Sequence, residues 1–257
     1  MRDPHVERLH FEIGSEEGVS YENPAPLTFT NHLGQFVCRD GVLRVEPAAH
    51  FADESDARVV VEPFLRAWEI DADLNGNIGT IRFSFLGADV VDRNPPLLGT
   101  PQVISAGAAA AAFASVRAAA HITRRLYPTP PESFRATSDV TQAYSRWRGF
   151  RAGHEPLQSM AYFVLTLVEA VAGGRKVAAR SLAIDLDVLG TIGRLSSTKG
   201  DADTARKVER GTAFQELSGS EEQWLEHAIR RVVKRLGEHA AGGALDPLRM
   251  ADLPELK

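Results

Sequence analysis

The residues whose types could do chemistry are densest in Tyr144-Ser145-Arg146-Trp147-Arg148-Gly149-Phe150-Arg151, where three aromatics are interleaved with arginines. Rings stack on bases and guanidinium groups pair with phosphates, so such a segment could bind nucleic acid. On a regular helix, however, Tyr144, Trp147 and Phe150 cannot all stack outward while the same helix buries a face. The expected arrangement therefore turns the rings to a core and the arginines to water. A variant docks these arginines on the acidic N-terminal half. The binding candidates are Arg146, Trp147, Arg148 and Arg151, joined by Arg230 and Lys234 from a second basic segment.

That second segment runs through His227, Arg230, Arg231, Lys234, Arg235 and His239. An Arg and a His brought together could perform acid–base chemistry on a phosphodiester, which makes Arg231, Arg235 and His239 catalytic candidates. His154, beside Glu155, is a fourth. The higher-eukaryote and prokaryote nucleotide-binding (HEPN) ribonucleases carry an Arg four to six residues from a His on a late helix. Here seven residues separate Arg231 from His239 and three separate Arg235 from it. The spacing departs from that family at every choice, and its activity is not carried over. Acids in a first helical turn (Glu221, Glu222) and bases in the last already explain the pattern, because they complement the helix dipole.

Glu69, Asp71 and Asp73 stand at i, i+2 and i+4. Read as a strand they share one face, about 7 Å apart, too far for all three to reach one cation. They are expected to be solvated. No histidine sits in a metal-ligand spacing, and no phosphate-loop, dinucleotide or nucleophile-elbow signature is present. No metal and no cofactor are expected.

Charge is segregated. Residues 1–100 carry 17 Asp/Glu against 8 Arg and no Lys, whereas residues 101–152 carry 7 Arg against Glu132 and Asp139. Such asymmetry marks a polyanion-binding surface or two parts of one molecule that dock. Cys38 is alone, which excludes an internal disulfide and fits a reducing compartment. Neither 103–116 nor 161–168 reaches the roughly 20 apolar residues of a spanning helix, so no membrane partner and a cytoplasmic location are expected.

These residues need elements to hold them. Leu9, Phe11 and Ile13 alternate as in a strand, and Gln35–Cys38 and Val42–Val45 are short strands joined by Arg39-Asp40-Gly41, a hairpin signal. The segment from Tyr21 to Pro26 reads as a loop or an edge. Ala57, Val60, Val61, Phe64 and Leu65 mark one face of a helix capped by Asp53 or Ser55, which Pro63 ends near Glu62 or bends. Trp68, Ile70, Ala72 and Leu74 then alternate with acids, and Ile81, Phe83 and Phe85 alternate with Thr80, Arg82 and Ser84. That pattern predicts a hairpin, with Asp71 opposite Arg82. Beyond it the signals are helical: an Ala-rich helix over 106–126, a helix capped by Ser138 or Asp139, one over 157–172, short ones over 176–182 and 188–195, and one from about 200 to 210. A last helix opens on the capping box Ser218–Glu221, and Gly237 and Gly242-Gly243 end the ordered region.

The chain thus reads as α+β. A β-rich module with one inserted helix spans 1–98, and an Ala-rich helix and Pro-rich linker span 99–133. A helical module spans 134–245, with a tail over 246–257 expected to wrap the surface or fray. The expected function is a non-enzymatic binding or regulatory protein with a macromolecular partner, a protein first and nucleic acid second. The alternative is a ribonuclease-like enzyme with its Arg/His site in the helical module. Oligomeric state stays open.

Overall fold

The computed structural model describes residues 3–16, 18–94, 122–197 and 216–256. Two compact units divide at Pro131–Glu132. The first is β-rich with one helix and the second is helical, so the α+β reading stands.

In the first unit, β1 (Pro4–Gly14), β3 (Leu27–Asn31), β4 (Gly34–Arg39), β5 (Val42–Pro47) and β6 (Arg82–Asp92) form an antiparallel sheet in the order β3-β4-β5-β1-β6. β4 and β5 pair with Arg39 opposite Val42, leaving Asp40-Gly41 as the turn. Both turn residues have positive φ (52° and 76°), as a two-residue primed turn requires. Period two decides the buried face: Leu9 and Phe11 of β1 lie opposite Val45 and Leu43 of β5, and all four are buried. β2 (Val19–Ala25) lies outside this sheet, paired in parallel with β7 (Ile122–Leu126). The Ala-rich helix expected over 106–126 is therefore corrected at its end, where 122–126 is a strand. The rest of that segment, and the helix expected near 200–210, lie outside the described residues.

The expected hairpin is overturned. A single helix α1 (Glu54–Asn75), capped by Asp53, runs through Pro63 and carries Trp68 to Leu74. It crosses from β5 to β6 over the apolar face of the sheet, where Ala57, Val61, Leu65, Trp68 and Ala72 join the core of β1, β4 and β5. Pro63 removes one N–H on the exposed side of α1; the carbonyl it frees is that of Val59, which is 72% exposed and open to water. The alternation over 68–74 is strand-like because this part of the helix is buried nearly all round.

The solvated face expected for Glu69, Asp71 and Asp73 is wrong for the same reason. All three are buried. Arg82 pairs with Asp73 at 2.7 Å instead of with Asp71. Arg66 holds Glu69 at 2.8 Å, Phe83 donates its backbone N–H to the same carboxylate, and Asn75 donates to Asp71. Buried carboxylates are tolerated when so partnered.

The second unit holds α2 (Ser138–Arg151), α3 (Leu157–Ala172), α4 (Arg175–Ser181), α5 (Leu186–Ser197) and α6 (Gly219–Ala240). Thr137, one residue before the expected caps, closes the start of α2 by accepting the Val140 N–H. Gly173, in the left-handed region, ends α3. The capping box Ser218–Glu221 opens α6, whose buried face includes Trp224, Leu225, Ala228, Val232, Val233 and Leu236. The helix continues past Gly237 to Ala240, and Gly242, with positive φ, follows its end. The tail docks rather than frays: Leu248 forms a bridge with Ile184 and is fully buried. Among the described residues no single helix is long and apolar enough to cross a membrane.

Candidate functional site

α2 and α6 carry all six binding candidates, and the two helices meet in a seam where Arg230 lies over Trp147 and Arg151 reaches Glu226. Tyr144 and Trp147 are buried, with ring centroids 6.1 Å apart, and Phe150 is half-buried. Periodicity turns these rings inward and sends the intervening arginines to the rim, so the two largest rings offer no platform on which a base could stack.

The arginines are mounted on the rings they flank. Arg230 of α6 lies over Trp147 at 5.6 Å, and Arg148 lies over Tyr144 at 6.0 Å. Arg146 sits over the Phe163 ring of α3 at 4.6 Å and pairs with Glu155 in the α2–α3 turn. Arg151 donates to Glu226 of α6 at 2.7 Å. Such contacts fix long side chains at modest gain, cation–π contacts being worth about 0.5–2 kcal/mol.

Glu155 pairs with Arg146 and Glu226 with Arg151. Burial pushes the Arg230 guanidinium below its ordinary pKa; Glu226 opposes this and Arg151 adds to it. Further along α6 one carboxylate, Glu238, serves both Arg235 at 3.0 Å and Lys234 at 4.0 Å. Buried donors without an acceptor among the described residues include Arg146 Nε, Trp147 Nε1 and Trp224 Nε1.

The catalytic candidates do not gather. Arg235 is buried and held by Glu238, while Arg231, His239 and His154 are exposed. His154 follows α2 at the Arg151–Glu226 end of the seam. His239 is 13 residues beyond Glu226 on α6, about 20 Å along the axis. No group of three or more His, Cys, Asp or Glu among the described residues is arranged to hold a metal ion.

Reading the sequence missed Glu155, Glu226 and Phe163 as the partners of the arginines. Glu226 could have been found, since it stands one helical turn before Arg230 on the same helix. The pairing of Arg151 with Glu226 depends on tertiary docking and leaves no local trace. Comparison with protein-family models, with curated proteins and with solved structures finds no match to this chain.

Proposed function

We propose that the chain is a non-enzymatic binding protein whose helical unit recognises an acidic protein partner through the α2–α6 seam. The carrying observation is the set of four guanidinium groups on α2 and α6, Arg146, Arg148, Arg151 and Arg230, each mounted on a ring or a carboxylate. Arginines fixed in this way lose little side-chain entropy on binding and present planar donors suited to carboxylates. A protein partner is favoured over single-stranded nucleic acid because Tyr144 and Trp147 are turned into the core. The ribonuclease-like alternative draws less support, since Arg235 is occupied and His154 and His239 stand at opposite ends of the seam. The lone cysteine supports a cytoplasmic setting within this reading.

The test is affinity capture with the full chain, with and without nuclease, comparing wild type with Arg148→Glu/Arg151→Glu. A partner that resists nuclease, is released by salt and is lost from the double variant supports the reading. Capture unchanged by the double variant, or abolished by nuclease, overturns it.

A further inference from the structure

The first unit contains a cleft of about 780 Å³, at the end of the sheet where β1, β2 and the β4–β5 turn converge on Tyr127. This size lies within the range of small-molecule sites. Its walls are chemically mixed. Tyr21, Pro24 and Ile13 supply apolar surface, while Asn23, Arg39 and Asp40 supply exposed polar groups.

Two features separate this cleft from an ordinary surface depression. First, Tyr127 is only 7% exposed, and its hydroxyl accepts the Gly41 N–H at 3.2 Å. The hydroxyl proton has no acceptor among the described residues. Burial raises the Tyr127 pKa, with the Gly41 N–H opposing, so at neutral pH the group is a protonated donor. Gly41 and Tyr127 both line the cleft, so that donor stands at its wall. Second, Arg39 and Asp40 line the same cleft with opposite charges and form no ion pair with each other or with other described residues. Neighbours in sequence, they are sent apart by the hairpin: Arg39 is the last residue of β4, and Asp40 enters the turn with φ 52°.

We infer that this cleft is a binding site for a small zwitterion, an amino acid with a neutral side chain, whose carboxylate meets Arg39 and the Tyr127 hydroxyl and whose ammonium meets Asp40. Opposite charges held apart in one cleft complement a ligand that carries both, and they discriminate against ligands carrying only one. The prolines and Tyr21 leave room for an apolar side chain. The assignment is independent of the arginine seam on the helical unit.

The experiment titrates the full chain with neutral L-amino acids at about 10 mM, enough to fill a site of millimolar affinity, and follows the backbone amide of Gly41 by NMR. At least one amino acid is expected to shift Gly41 saturably. Arg39→Gln and Asp40→Asn should each weaken that binding about tenfold, the loss expected for a hydrogen bond to a charged group. Both side chains are exposed, and Asn tolerates the positive φ of position 40, so both variants fold. Propionate and propylamine should bind much more weakly than the amino acid. The inference is overturned if no amino acid moves Gly41, if the single-charge compounds bind equally well, or if binding survives both substitutions unchanged.

Discussion

His5 and His50 lie with their Nδ1 atoms 3.0 Å apart and their rings stacked within 7° of parallel. One of the two nitrogens must be unprotonated for that contact to be a hydrogen bond. His5 is buried at the start of β1, and its pKa is lowered by burial first, then by the positive fields of Arg93 and His50, against Asp3 and Glu7. A folded-state pKa below the unfolded value of 6.5 means that the native state binds fewer protons. This stability is present above pH 6.5 and is lost as the pH falls below it. Thermal melts of the full chain should therefore show a falling Tm between pH 7 and 5, and His5→Gln should flatten that limb. An unchanged slope in His5→Gln would remove His5 as the cause.

Trp68 anchors the first core. Its ring lies 5.1 Å from Phe83 and 5.4 Å from Phe29, and its indole N–H donates to the Pro128 carbonyl at 3.1 Å. Trp68→Ala should cost about 3–5 kcal/mol, read as a shift in urea midpoint without a change in slope.

Local signals were legible and distant ones were not. The Asp40-Gly41 turn and the Ser218–Glu221 capping box depend on contiguous residues, and both form as their spacing implies. The half of α1 from Trp68 to Leu74 did not declare itself, because acidic side chains there are satisfied by Arg66, Arg82 and the Phe83 N–H. A pattern of alternating apolar and acidic residues is ambiguous until such partners are known. On the helical unit the inward turn of Tyr144 and Trp147 followed from periodicity alone. The carboxylates that tether the arginines come from a loop and from another helix, and only docking brings them near.

Asp73 is fully buried, and Arg82 grips it with two donors at 2.7 and 3.3 Å while the Thr80 N–H adds a third at 3.2 Å. Removing Arg82 takes the guanidinium from a fully buried carboxylate, whereas removing Asp73 leaves Arg82 its contact with Glu16 at 2.8 Å. Arg82→Met should therefore cost about 3–5 kcal/mol and Asp73→Ala less, and the joint change Asp73→Leu/Arg82→Met should cost clearly less than the two single losses together. Additive losses in a denaturant double-mutant cycle would show that the pair is not coupled.

Gly237 lies within α6, where glycine to alanine ordinarily stabilises by up to about 1 kcal/mol. Here the sign should reverse. A Cβ at this position would fall 2.2 Å from the Phe134 ring and within 2.5 Å of two more of its atoms. Phe134 is itself buried, and the neighbouring Arg135 N–H donates to the Gly237 carbonyl at 3.0 Å, so the ring and the backbone that carries it are fixed against the helix. Overpacking of this kind costs about 1–3 kcal/mol, which exceeds the gain in helix propensity. Gly237→Ala should destabilise the helical unit, and pairing it with Phe134→Leu should recover part of the loss. Gly190, on α5 with open space around its Cβ position, supplies the control, since Gly190→Ala should stabilise. Circular dichroism melts of the four proteins decide the matter. If the Gly237 variant gains as much stability as the Gly190 variant, the close approach of Phe134 is not what keeps glycine in the last helix.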